Sequence, residues 1–514
     1  MLARIVNDKF IYIEQISTNE ELILDKEFSV RHPRAQYLDT SNGFFDGTFH
    51  KYNRKHRRLA RPFLSDLIRV CGERGLPLNV IDDRPPPKYP SPNPSVVTKD
   101  LLSGVELYDY QIGGIKSTCH NEVGCISAKT GAGKSEMIAG IAKIMNCPTI
   151  ILCDMTIIVG QLKERLELRK TAEEVGMFYA GKRPNGQQII VGSFQSLTIP
   201  SEPEKKPKDT PESYAKKLKA YSTRRKNARK LRDIIGKCDL LLVDECDQAT
   251  SKQWRNLFWG WFKGRRRFGF TGTPNDPGKP VQNLVLKEHL GSVIYHVDRK
   301  EVEKVHRIVP VRYAAIAFGD EAMAKDRAAY DIALKEQIIE NPLFHGLVKD
   351  VAALSIKGDT RYGTVVLVES IPLGNVLESI IPDSKFIYGN TPMKERMAAI
   401  RAFEDRKLRV LIGGKIIRRG LDLKGGCESL IIATGGKLAS DFDQKIGRAV
   451  RVNCRGFAKI YDFYFLGNFY LYTHSRLRLK TIVSMGYPAK VIFRNGVVEA
   501  DKFIKSRFRR PKTK

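Results

Sequence analysis

Acidic side chains are scarce: 57 Asp and Glu stand against 87 Lys and Arg, a formal net charge of +30 over 514 residues. That deficit excludes an acidic, solvating protein. A chain this basic attracts polyanions, with nucleic acid the first partner class and an anionic membrane surface the second. Long hydrophobic runs are also missing. No stretch approaches the eighteen apolar residues of a membrane-crossing helix, and the opening MLARIVNDKFIYIEQ is polar where a signal peptide is apolar. Nine cysteines, at 71, 119, 125, 147, 153, 238, 246, 427 and 454, form no CxxC pair and no Cys/His cluster of zinc-ligand spacing. Free thiols, a reducing compartment and no side-chain metal site are therefore expected. Neither a heptad seam nor a short-period repeat is present. What is present is 42% hydrophobic residues, too many for a disordered polycation, in a chain of 514 residues, a length that suggests roughly three domains.

The organisation follows from composition. Residues 1–80 read as a basic α+β module in which Pro62 opens a helix with Leu64, Leu67, Ile68 and Cys71 on one face. Residues 81–100 begin IDDRPPPKYPSPNPS, too rich in proline for regular structure, and are expected to be a linker. Short apolar runs then alternate with helical stretches: VGCISA, PTIILCD, QIIVGSF, CDLLLVDE and FGFTG over 101–308, and GTVVLVE, KFIYG, LRVLIGG, ESLIIATG and KIYDFYF over 309–465. This is the pattern of parallel sheets with crossover helices, twice in tandem. Residues 201–237 interrupt the first series with 13 Lys/Arg against 5 Asp/Glu, as a solvated helix or a phosphate-tracking arm. A basic extension is expected over 466–514.

The strand VGCISA runs into AKTGAGKS and then an apolar helix, the context of a P-loop. Lys129, Thr130, Gly131, Ala132 and Gly133 form the loop, the glycines letting backbone N–H groups approach phosphate oxygens. Lys134 reaches the β and γ phosphates, and Ser135 offers a hydroxyl to Mg²⁺. ATP and Mg²⁺ are the expected cofactors. About 110 residues later LLLVDECD places Asp244 and Glu245 at a strand's carboxyl end, one to hold Mg²⁺ and the other to orient and deprotonate a water.

At this point the chain resembles the superfamily 2 helicases and translocases. YDYQ resembles their adenine-reading segment, with Gln111 as reader, and DECD (Asp244 to Asp247) their DExH/D box. GFTGTP resembles motif III, in which Thr271 and Thr273 couple to Asp247; RRGLD, with Gly420 and Asp422, is similar to motif V; QKIGRAVR, with Gln444, Arg448 and Arg451, is similar to motif VI. The resemblance implies two tandem RecA-like domains after a small α+β domain. It also implies that Arg448 and Arg451, three apart on one helical face, stabilise charge on the γ-phosphate once the cleft closes. Nucleic-acid contacts are implied at Thr156 and Gln161 (motif Ia), Ser193 and Gln195 (motif Ib) and Ser370 (motif IV). Two departures from the family pattern are Gly414, where a threonine is usual, and Lys445, where an arginine is commoner.

Residues 28–75, notably Phe45-Asp46-Gly47, Tyr52 and the helix after Pro62, resemble the DNA-binding domain of phage UvsW-type helicases. The implication is a cytoplasmic, monomeric ATP-dependent helicase acting on branched or forked DNA, in the host cytoplasm if the chain is viral, with no membrane partner. An RNA helicase and a scaffold with a non-hydrolysing ATP site are the alternatives.

Overall fold

The runs that are apolar on both faces become interior strands, and the structure, a computed structural model, arranges them in two large sheets. It describes all residues except 34, 36–44, 130, 154–155, 180–181, 200, 206–209, 277, 306–309, 321–325, 358–362, 415–426, 437–456, 485–486 and 507–514. The chain divides into two units, one formed chiefly by residues 1–298 and one by 299–514.

The first unit begins with a four-stranded sheet. Strands β1 (Leu2–Ile5), β2 (Phe10–Glu14), β5 (Arg58–Ala60) and β6 (Asn79–Asp82) stand in the order β5-β2-β1-β6, beside a ribbon of β3 (Ser29–Arg31) and β4 (Thr48–His50). Helices α1 (Thr18–Glu27) and α2 (Leu64–Glu73) complete the module. Helix α1 starts on a capping box, with Ser17 Oγ accepting the Glu20 N–H and the Glu20 carboxylate accepting the Ser17 N–H. Helix α2 follows a single 3₁₀ turn carrying Pro62, and it buries Leu67, Val70 and Cys71. Ile68, expected on that face, is 50% exposed, because the buried stripe runs through Phe63, Leu67, Val70 and Cys71, at i, i+4, i+7 and i+8. Tyr52 is buried in the same core, and Asp46 Oδ1 accepts the Thr48 N–H at the start of β4.

The proline-rich stretch behaves differently from a free linker. Ile81 and Asp82 pair with β1, so the strand ends inside it. Beyond them, Arg265 donates to Pro85 O and Arg266 to Tyr89 O, both at 2.7 Å. Arg84 is pinned by Asp8, Asp82 and Glu122, and Arg61 pairs with Glu122. Phe10 stacks on Trp259 with centroids 5.3 Å apart. Apolar packing and partly buried ion pairs thus fasten the N-terminal module to the sheet that follows.

That sheet has seven parallel strands: β7 (Val123–Ser127), β8 (Thr149–Cys153), β9 (Val175–Phe178), β10 (Ile189–Ser193), β11 (Leu240–Asp244), β12 (Arg266–Thr271) and β13 (Val293–His296), in the order β13-β7-β12-β11-β8-β10-β9. Helices α3 (Asp109–Cys119), α4 (Lys134–Met145) and α5 (Thr156–Leu168) flank it. The insert is a 25-residue helix, α6 (Pro211–Ile235), buried only through Ala228, Leu231 and Ile235. Eight cysteines fall among the described residues, and all are buried free thiols.

The second unit is an eight-stranded sheet. Strands β14 (Val311–Phe318), β15 (Thr364–Val368), β16 (Ser384–Ile387), β17 (Val410–Gly413), β18 (Ser429–Ala433), β19 (Ala458–Phe465), β20 (Ala489–Phe493) and β21 (Gly496–Glu499) run β16-β17-β15-β18-β19-β14-β20-β21, parallel except for the last pair. The residues after 465, expected as a basic extension, instead supply β20, β21 and the helix Phe469–Ser484 that packs on β19. Arg478 of that helix is fully buried, donating to Asp462 Oδ2 at 2.7 Å and Phe463 O at 2.7 Å. Two parallel-sheet α/β domains behind a small α+β domain are the fold expected from the sequence.

Candidate active site

The register of the first large sheet assembles the motifs. Ser127 stands beside Thr271, and Asp244 beside Phe270, so the carboxyl ends of β7, β11 and β12 form one edge. The segments leaving that edge are 128–135, 244–247 and 271–273. Ligands of open α/β sheets bind at this edge.

In the first segment Gly131 has φ +92° and Gly133 has φ +75°, a left-handed backbone that glycine adopts without a Cβ penalty. Gly133 leads directly into α4, so the helix's first N–H groups point into the loop. A Cβ on Gly133 would lie 2.2 Å from Gln111 Nε2. Gln111 is 1% exposed; its Nε2 donates to Ala132 O at 3.1 Å and its Oε1 accepts the Tyr108 N–H at 3.0 Å. The expected adenine reader therefore also braces the loop from beneath. Lys129 precedes Gly131 in the turn, and Thr130 lies outside the described residues.

Lys134 Nζ donates to Glu245 Oε1 at 2.6 Å. Burial lowers the lysine's pKa, but the charges of Glu245, Asp244 and Asp247 outweigh it and leave the ammonium raised and protonated. Glu245 has a left-handed backbone, φ +50°, and its N–H donates to Asp244 Oδ1 at 3.1 Å. A non-glycine residue held there is strained, which is common where a side chain must be aimed. Burial, opposed by Lys134 and assisted by Glu245, pushes the Asp244 carboxyl up to about 6. Burial and Glu245 push Asp247 up to about 6 as well, even though Gln248 and Thr271 donate to it. Thr271 Oγ1 reaches Asp247 Oδ1 at 3.3 Å and also accepts the Thr273 N–H at 3.1 Å, so motifs II and III touch.

This donor set fits a magnesium nucleotide. A glycine cradle at a helix N-terminus suits phosphate oxygens, and two carboxylates with excess negative potential suit a divalent cation near Ser135. Three half-buried carboxylates against one lysine leave the pocket short of positive charge.

Burial of Asp247, with the Glu245 charge beside it, yields a stability prediction. The Asp247 carboxyl is raised from 3.8 to about 6, so the native state holds its proton more tightly than the unfolded chain. Native stability is accordingly lost as pH rises from about 4 to about 6, by up to ~3 kcal/mol. Asp247→Asn is expected to raise the melting temperature at pH 8 and to change it little at pH 4. Equal shifts at both pH values would refute the charge argument.

The remaining candidates are more dispersed. Ser193, the last residue of β10, is fully buried and its Oγ has no partner among the described residues, so it offers no surface contact. Ser370 caps the helix Ile371–Ile380, its Oγ accepting the Leu373 N–H at 3.2 Å, the bland role open to such a residue. Gln195 is exposed beyond β10, Gln161 is half-buried on α5, and Thr156 is the first residue of α5. Gly420, Asp422, Gln444, Arg448 and Arg451 lie outside the described residues. Sequence reasoning missed the Lys134–Glu245 pair and the basic turn Lys182–Arg183, which the string AGKR after β9 signals only as charge.

Residues 104–276 match the family model described as the res subunit of type III restriction enzymes, and residues 369–453 match the helicase conserved C-terminal domain. The predicted helicase 22 of Sulfolobus islandicus filamentous virus is 24% identical over 385 residues, 68% of this chain and 63% of that protein, so the chain spans less than two thirds of it. The DNA 3'-5' translocase XPB2 of Sulfurisphaera tokodaii is 22% identical over 441 residues, 77% of this chain and 86% of that one. Among solved structures, S. cerevisiae Dbp5 bound to RNA and ADP BeF3 covers 78% of this chain and 92% of its own, at 14% identity and a TM-score of 0.51. T4 UvsW covers 96% and 99%, at 15% identity and a TM-score of 0.42. Among the described residues no helix is long and apolar enough to cross a membrane.

Proposed function

The chain is a superfamily 2 helicase, and from that premise we propose that it is a Mg²⁺-dependent ATPase that translocates on and remodels branched DNA. One observation carries the chemistry: Lys134 and Glu245 meet at 2.6 Å on the carboxyl edge of the parallel sheet, beside Asp244. Bound Mg²⁺-ATP would supply the phosphoanhydride whose cleavage drives movement.

The chain's own residues then have defined tasks. The amides of Gly131 to Ser135 and the Lys134 ammonium hold phosphate oxygens, while Ser135 and Asp244 offer oxygen to the cation. Glu245, once Lys134 turns from it to phosphate, is free to orient a water and accept its proton. Gln111 selects the base and steadies the loop; Asp247, Thr271 and Thr273 pass the state of the site to the sheet edge. For Arg448 and Arg451 motif VI implies the γ-phosphate role, and the resemblance implies nucleotide-binding roles for Gly420, Asp422 and Gln444; all five lie outside the described residues.

DNA is preferred to RNA in this reading because residues 28–75 resemble the DNA-binding domain of UvsW-type helicases; the exposed basic hairpin tip Arg54-Lys55-His56-Arg57 suits the phosphates of either, while Tyr52 and Phe63 serve the module's core. Phosphate contacts should dominate binding. The test is ATP hydrolysis by the full chain with forked DNA, linear duplex or RNA across a salt series. Forked DNA is expected to stimulate most, with an effect that falls steeply as salt rises. Stimulation by RNA alone would overturn the DNA reading, and basal turnover indifferent to every nucleic acid would overturn translocation.

A further inference from the structure

Helix α6 is largely a wall. Its last third is fastened to the sheet by Ala228, Leu231 and Ile235, by Arg232 donating to Leu197 O at 3.0 Å, and by the same guanidinium lying 3.9 Å from the Trp261 ring centroid. The two turns and more that precede this anchor face a cleft of about 700 Å³. Lys216, Lys219 and Arg224 line one side, at helical positions i, i+3 and i+8, which share a face. Tyr179, Lys182 and Arg183, from the turn after β9, line the other. Gln195 and Ser196, leaving β10 at the same carboxyl edge, also border the cleft.

Five cations from two distant segments face one space, and among the described residues no carboxylate lines it. A merely solvated helix turns its charges outward, whereas like charges collected across a cleft repel one another and raise a strong positive potential. Arg183 is held in that arrangement by donating to Asn227 of α6. The half-buried Tyr179 adds an aromatic face among the cations, which phosphate alone does not need but an unpaired base can stack on.

We propose that this cleft binds the backbone of single-stranded DNA, with Lys216, Lys219, Arg224, Lys182 and Arg183 on phosphates and Tyr179 against a base. Between Lys216 and Arg224 the helix rises about 12 Å, so the cleft meets a short stretch of strand. The inference deepens the proposed function and rests on its nucleic-acid reading.

The test uses the full chain, fluorescein-labelled oligo-dT and anisotropy over a NaCl series. The cleft variant is Lys216→Glu/Lys219→Glu/Arg224→Glu. The control, Arg225→Glu/Arg229→Glu/Lys230→Glu, makes the same charge change at exposed positions of α6 outside the cleft. Basal ATP hydrolysis without DNA reports the fold of both. The cleft variant is expected to bind oligo-dT at least a hundredfold more weakly, with the slope of log K against log salt reduced by about 2, since each lost phosphate contact to a single strand removes roughly 0.7. The control is expected to change the slope far less. Tyr179→Ala is expected to weaken binding about five- to a hundredfold with the slope unchanged. Equal losses in cleft and control variants, or a cleft variant that binds like wild type, would overturn the cleft while leaving the proposed function standing. A wild-type chain that binds no DNA would overturn both.

Discussion

Glu245→Gln is expected to lower the turnover number for ATP by roughly 10²- to 10⁴-fold while ATP binds at least as tightly as to wild type. The first half rests on removing the one carboxylate whose strained backbone, φ +50°, aims it at the P-loop lysine. Loss of a positioned general base costs about that much. The second half rests on the ion pair. Lys134 Nζ sits 2.6 Å from Glu245 Oε1, and phosphate must compete for that ammonium. A neutral amide holds it less strongly, so the competition weakens as catalysis is lost. Single-turnover hydrolysis beside equilibrium binding of a fluorescent ATP analogue separates the two effects. Unchanged turnover would remove Glu245 from the reaction; a weakened affinity would mean that its charge helps to shape the site for phosphate.

Some of this was legible in the sequence and some was not, and burial explains the division. Interior strands such as β8 (TIILC) and β11 (LLLVD) are covered on both faces, so they appear as continuous apolar runs and their ends locate Asp244 and the loop before Lys134. Strands at the margins escape that reading. Edge strand β13 (VIYH) is only partly buried, and β21 (GVVE) is exposed throughout. The residues after 465 read as a charged extension because the arginine that fixes them, Arg478 of the helix Phe469–Ser484, is neutralised by Asp462 of β19, which no local pattern reveals. The site divides in the same way. Lys134, Asp244, Glu245, Asp247 and Thr271 belong to short motifs at strand ends, whereas their pairing depends on β11 and β12 standing next to β7 and β8 in register. A run of basic residues gives no sign of which cations turn to a shared cleft; that depended on where α6 is anchored.

Gly133→Ala is expected to weaken ATP binding by about 10²- to 10³-fold, through two costs that can be separated. The backbone at Gly133, φ +75° and ψ 42°, is left-handed, which disfavours an L side chain by roughly 1–2 kcal/mol. The added Cβ would also lie 2.2 Å from Gln111 Nε2, far inside contact distance. Gln111 is almost wholly buried and held by hydrogen bonds to Ala132 O and from the Tyr108 N–H, so its retreat unpairs buried polar groups at about 1–3 kcal/mol each. The cheaper escape is for the loop to leave its left-handed turn, which withdraws the amides that would face phosphate. Combining Gly133→Ala with Gln111→Ala removes the collision and leaves the backbone cost. The double variant should therefore bind ATP less badly than the sum of the two single losses, a coupling of about 1–2 kcal/mol measured by calorimetric titration. Strict additivity would mean that Gln111 does not brace the loop, and wild-type affinity in Gly133→Ala would mean that the phosphates are held elsewhere.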